Sequence, residues 1–135
     1  MPIQWREAMA VGDESVDADH RQLIDLINKV ELILTAAGGH IELEATLDEL
    51  GAYTHAHFER EEHLMQCVGY PGLVAHRQAH RELRTQFGAL HKAMTAAKAQ
   101  ALTATETSRL VTLLRDWLLD HVLKEDMKVK AFLKK

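Results

Sequence analysis

At 135 residues, with 47% apolar and 27% charged side chains, the chain has the length and balance of one soluble globular domain with a real core. Sixteen basic against twenty acidic residues leave a net charge of −4, which argues against nucleic acid or an anionic membrane as partner. A single cysteine, Cys67, excludes an internal disulfide and reads as an inert thiol in a reducing compartment. Met1–Ser15 has no basic stretch followed by an apolar one, and no apolar run approaches the roughly 18 residues that span a bilayer, so a cytoplasmic protein is expected.

In chain order, residues 1–17 read as an extended N-terminal arm whose Trp5 packs across the outside of the protein. A first helix is predicted over about 18–37, ending at Gly38-Gly39, and a second over about 41–68, ending at Gly69-Tyr70-Pro71-Gly72. The third runs from about Leu73 and fades in the Ala-rich stretch by 98–102. The fourth covers about 104–133, opened by Thr103-Ala-Thr-Glu106, which matches a capping box. With no strand pattern, repeat or linker, the chain is predicted to be all-α, one domain over 1–135: an up-down-up-down antiparallel four-helix bundle behind the arm.

Stepping alternately by three and four residues finds the inward face of each helix. The first gives Val16, His20, Leu23, Ile27, Val30 and Leu34; the second Leu43, Leu47, Leu50, Thr54, His57, Glu61, Leu64 and Val68. The third gives Leu73, His76, His80, Leu83, Phe87, Leu90 and Met94. In the fourth, Leu110, Leu114, Trp117 and His121 keep the step, after which polar residues follow unless the count jumps five to Asp126, Val129 and Leu133. On an ideal helix a five-residue step rotates the side chain by about 140°, about 100° beyond a four-residue step, so a local widening such as a π-bulge is predicted between His121 and Asp126. The remaining histidines, His40, His55, His63 and His91, fall off the stripes or in a loop and read as surface residues.

Seven polar side chains therefore interrupt an apolar interior: His20, His57, Glu61, His76, His80, His121 and Asp126. Buried ionisable groups cost several kcal/mol each unless something satisfies them, and a pair of metal ions would satisfy all seven. His76-x-x-x-His80 sets two imidazoles one turn apart as a pincer for one ion, and His57-x-x-x-Glu61 repeats the geometry with a carboxylate. Each carboxylate has two oxygens, so Glu61 and Asp126 would bridge two ions. His76, His80 and His121 would then complete one ion and His20 and His57 the other, leaving an open position on the poorer side. Imidazole and carboxylate without thiolate suit iron, manganese or zinc. Zinc prefers four ligands, and dinuclear carboxylate sites in bundles are typically di-iron or di-manganese; iron is the choice.

These residues stand in recognisable text: Asp17-x-x-His20-Arg-Gln-Leu-Ile, His57-Phe-x-x-Glu61-Glu-x-Leu-Met with Gly-Tyr-Pro following, His76-x-x-x-His80, and Trp117-Leu-x-x-His121-x-x-x-x-Asp126. The chain resembles the hemerythrin family in its single-domain bacterial type, from Trp5 to Asp126. The resemblance implies two iron ions, hydroxo- or oxo-bridged and held by the seven residues, with dioxygen as ligand at the iron of His20 and His57. It also implies that Phe58, Trp117 and Leu118 wall the oxygen pocket, with ordinary core packing as the competing account of the three. Reversible oxygen binding is the expected function, for oxygen transport, storage or delivery to an oxygen-using enzyme, in a monomer that is not an enzyme. The alternatives are a di-iron oxidase or peroxidase, a scavenger of nitric oxide or peroxide, and an oxygen sensor acting through a partner.

Overall fold

The computed structural model describes residues 3–35, 40–99 and 104–133; at some helical positions, His121 among them, the backbone alone is described. Every regular element among them is helical. Helices α1 (Glu14–Thr35), α2 (His40–Cys67), α3 (Leu73–Ala99) and α4 (Ala104–Asp116) are followed by a π-helical segment, Trp117–Val122, and by the short helices α5 (Leu123–Met127) and α6 (Lys130–Leu133). α1 packs on α2 and α4, and α3 packs on the same two, which is the ring of neighbours that an antiparallel four-helix bundle requires. None of these helices is long and apolar enough to cross a membrane.

α1 begins at Glu14, earlier than predicted, because Asp13 caps it. The Asp13 carboxylate accepts the Val16 N–H at 3.0 Å and its carbonyl accepts the Asp17 N–H at 2.9 Å. The arm is correspondingly shorter and contains a 3₁₀ turn, Glu7–Met9. Asn28 pins it: its side chain donates to the Ile3 carbonyl and accepts the Ile3 N–H, both at 2.8 Å. Trp5 lies half-buried against the core with the Arg21 guanidinium 4.7 Å from its ring centroid, as an arm crossing the bundle surface would place it.

α2 ends in a Schellman motif. Gly69 adopts φ +69°, its N–H bonds to the Gln66 carbonyl at 3.2 Å, and Tyr70 N–H reaches back to Met65 at 2.9 Å. This early stop leaves Val68 39% exposed, and fully buried Met65 takes the inward place that the stripe assigned to Leu64 and Val68. Near the middle of α2, a Cβ on Gly51 would meet the Phe87 ring at 3.0 Å, so glycine lets α3 approach closely there.

The predicted widening exists but sits one turn earlier. The π segment ends with Leu123 N–H bonded to the Leu118 carbonyl, five residues back, so the wide turn includes His121 rather than following it. With the extra residue upstream, Trp117 and Leu118 are both buried and Asp126 and Val129 still return to the interior.

Candidate metal centre

Each of the long helices α1, α2 and α3 and the last helical stretch contributes polar groups to one buried cluster. His20 comes from α1, His57 and Glu61 from α2, His76 and His80 from α3, and Asp126 from α5; all six are at most 2% exposed. The predicted set is thus brought together except that the side chain of His121 lies outside the described residues. Two overlapping groups emerge, His20–His57–Glu61–Asp126 and Glu61–His76–His80–Asp126, with the donor atoms of each within 4.8 Å of one another.

The two carboxylates divide their oxygens between these groups. Asp126 Oδ2 faces His20 Nε2 at 2.6 Å and His57 Nε2 at 2.9 Å, while its Oδ1 faces His76 Nε2 at 3.2 Å and His80 Nε2 at 3.9 Å. Glu61 does the same: Oε2 lies 3.6 Å from His57 Nε2, and Oε1 lies 2.5 Å from His76 Nε2 and 3.2 Å from His80 Nε2. All four imidazoles therefore present the same ring nitrogen to a pair of carboxylates that each look two ways.

Burial and mutual charge set the electrostatics of these groups. Burial pulls His57 down, but its bonds to the Asp126 and Asp19 carboxylates outweigh this and push it up to about 10. His76 likewise rises to about 9 against the cost of burial, through Asp126 and Glu61. Glu61 is raised by burial and by the neighbouring Asp126 charge. Asp126, although burial opposes it, is held well below the usual carboxylate range by His20 and His57.

Two further carboxylates stand behind the ring nitrogens, and the stripe analysis missed both. Asp19 Oδ2 accepts His57 Nδ1–H at 3.0 Å, and Glu62 Oε2 accepts His80 Nδ1–H at 2.8 Å. Each is the chain neighbour of a predicted ligand, about 100° off the stripe, where periodicity reads "outward". The sequence signals were Asp19-His20 and Glu61-Glu62.

Phe58, fully buried, stacks on His80 with ring centroids 3.9 Å apart and planes 6° off parallel, and its centroid is 5.9 Å from that of His57. Trp117 donates its indole N–H to the Leu83 carbonyl at 2.9 Å and packs against Phe87, and Leu118 is fully buried in the same core. His55 and His63 are exposed and His91 half-buried; His55 pairs with Glu59 and His91 with Asp48, outside the cluster. The side chain of His40 lies outside the described residues.

The residues present fit a metal pair. His80 Nε2 is buried without a hydrogen-bond partner although it points at two carboxylates, which is what a nitrogen reserved for a cation would show. Four imidazole nitrogens and four carboxylate oxygens, with no thiolate, are a donor set for first-row divalent ions rather than for calcium or copper(I).

The model of the hemerythrin HHE cation-binding domain matches residues 11–133. Among similar proteins, a bacteriohemerythrin of Methylococcus capsulatus is 34% identical over 82% of this chain and 79% of its own length. One of Stenotrophomonas maltophilia is 28% identical over 97% and 84%, and myohemerythrin-1 of Phascolopsis gouldii is 26% identical over 96% and 93%. A match over most of the chain, spanning every helix that builds the cluster, places this protein in the hemerythrin family, whose members bind oxygen at a non-haem di-iron centre.

Proposed function

We propose that the protein binds dioxygen reversibly at two iron ions held by His20, His57, Glu61, His76, His80, His121 and Asp126, and that it serves oxygen carriage, storage or delivery rather than catalysis. The observation that carries this reading is the division of oxygens: both Glu61 and Asp126 turn one oxygen toward His57 and the other toward His76 and His80. When bound, the iron pair supplies the electrons that oxygen takes up and returns.

The protein's own contribution is asymmetry and an apolar surround. His20 and His57 offer two nitrogens on one side, while His76, His80 and, in this reading, His121 offer three on the other. In this reading the two-nitrogen side would hold the ion with an open position for a small ligand. In this reading Phe58, stacked on His80, and buried Trp117 and Leu118, one turn before His121, form the apolar wall of the oxygen pocket. Thr54, the one hydroxyl on the inward stripe of α2, commits its proton to the Leu50 carbonyl at 2.8 Å. An apolar wall beside the ligands favours return of the oxygen over its reduction to peroxide.

The test is an oxygen equilibrium on the reduced, iron-loaded protein. The visible absorbance that develops in air should disappear on purging with inert gas, over repeated cycles. Loss of the absorbance within seconds, with hydrogen peroxide accumulating, would replace the carrier reading with that of a di-iron oxidase. We place the protein in the cytoplasm as a monomer on the same reading.

A further inference from the structure

The outer carboxylates are arranged as two braces of unequal strength. Asp19, on α1, is 4% exposed and has all its lone pairs taken. Oδ2 accepts His57 Nδ1–H at 3.0 Å and Arg60 Nε–H at 2.9 Å; Oδ1 accepts Arg60 Nη2–H at 2.7 Å and the Tyr53 hydroxyl at 3.0 Å. The guanidinium makes a two-pronged fork, and it also lies 5.5 Å from the Tyr53 ring centroid. Glu62, on α2, has a side chain 22% exposed and, among the described residues, is braced by Arg77 Nε alone, at 3.2 Å. The pattern crosses helices: the neighbour of His20 steadies His57, and the neighbour of Glu61 steadies His80. Of the other two described imidazoles, His20 Nδ1 has no hydrogen-bond partner, and His76 Nδ1 has only the Glu125 carboxylate 3.9 Å away, beyond hydrogen-bond reach.

We propose that Asp19 and Glu62 are positioning residues, one for each ion, and that the Asp19–Arg60–Tyr53 network makes the ion of His20 and His57 the more firmly governed of the two. A proton fixed on Nδ1 by a carboxylate leaves the Nε2 lone pair free, aims it, and makes it a stronger donor. Asp19 does this for His57 as a buried charge that the Arg60 fork holds in one orientation. Glu62 does it for His80 from a half-exposed position where water screens the charge. The inference rests on the ligand set proposed above.

The experiment is release of ferrous iron from the reduced protein to a chelator, with ions counted per chain. Asp19→Asn keeps an acceptor for the His57 proton and removes the charge. It should release one ion per chain about 10–100-fold faster and leave the other at its wild-type rate. Glu62→Gln should speed the other ion by less, and the double variant should release two fast ions. Tyr53→Phe, which strips one bond from Asp19 and keeps the charge, should act in the same direction as Asp19→Asn and more weakly. The reduction potential should rise in Asp19→Asn, because an anion beside the more highly charged state has been lost; a merely structural role for Asp19 would leave the potential where it is. Unchanged release of both ions in Asp19→Asn, equal acceleration of both, or a double variant with only one fast ion would overturn the proposal. Fewer than two ions in the wild type would instead overturn the ligand set beneath it.

Discussion

Truncating Phe58 to alanine removes a fully buried ring that lies parallel to His80 at 3.9 Å. Its neighbours are helix-borne and cannot collapse into the gap, so the loss of burial and the cavity together should cost about 3–5 kcal/mol. For a chain of this size each kcal/mol moves Tm by about 3–4 °C, so the metal-free Phe58→Ala protein should melt roughly 10–20 °C below wild type. The metal-free state is the right one to measure, because loss of iron from a loosened His80 would add to the effect. Phe58→Leu should fall by much less, and Val74→Ala, at a position 76% exposed, should stay within about 0.5 kcal/mol. Thermal unfolding followed by circular dichroism reads all three. A fall of under about 5 °C for Phe58→Ala would refute the packing on which both the wall and the His80 geometry depend.

His80→Ala should abolish iron binding while His55→Ala retains it, as read by metal analysis; equal loss in both would contradict the assignment of faces. The pH dependence of the metal-free protein follows from raised imidazoles: His57 at about 10 and His76 at about 9, against an ordinary 6.5. Groups raised on folding stabilise fully below their unfolded value and lose that contribution as pH climbs through the folded one. Tm of the metal-free protein should therefore fall between about pH 6.5 and 10, whereas a flat or rising Tm over that range would show that the carboxylates do not hold these protons. Asn28→Ala removes both bonds to Ile3 and should cost about 1–2 kcal/mol, with faster proteolysis of the arm as the second readout.

Much of this architecture is legible in helical periodicity. Steps of three and four from Val16 and Leu43 run through His20, His57 and Glu61, and the structure buries all of them. Gly69 with Pro71 marked the end of α2 because a left-handed residue and a missing N–H are hard to place in a helix. Periodicity fails where a side chain's fate depends on a neighbouring helix. Glu62 reads as part of a solvated face with Asp48 and His55, yet His80 on α3 captures it. Asp19 reads as outward from α1, yet α2 supplies His57, Tyr53 and Arg60 to receive it. The displaced π turn has a related cause: the polar run at Lys124, Glu125 and Lys128 signals that the stripe breaks, but the extra residue can enter anywhere upstream. The start of α1 was readable in Asp13-Glu-Ser-Val16, where the carboxylate reaches the third N–H.

The account stands on two ions sharing Glu61 and Asp126. A crystal structure of the iron-loaded protein with anomalous scattering at the iron edge tests that directly. Two peaks are predicted, one among His20, His57, Glu61 and Asp126 and the other among Glu61, His76, His80, His121 and Asp126. A single peak, or a pair of peaks that does not share both carboxylates, would contradict it.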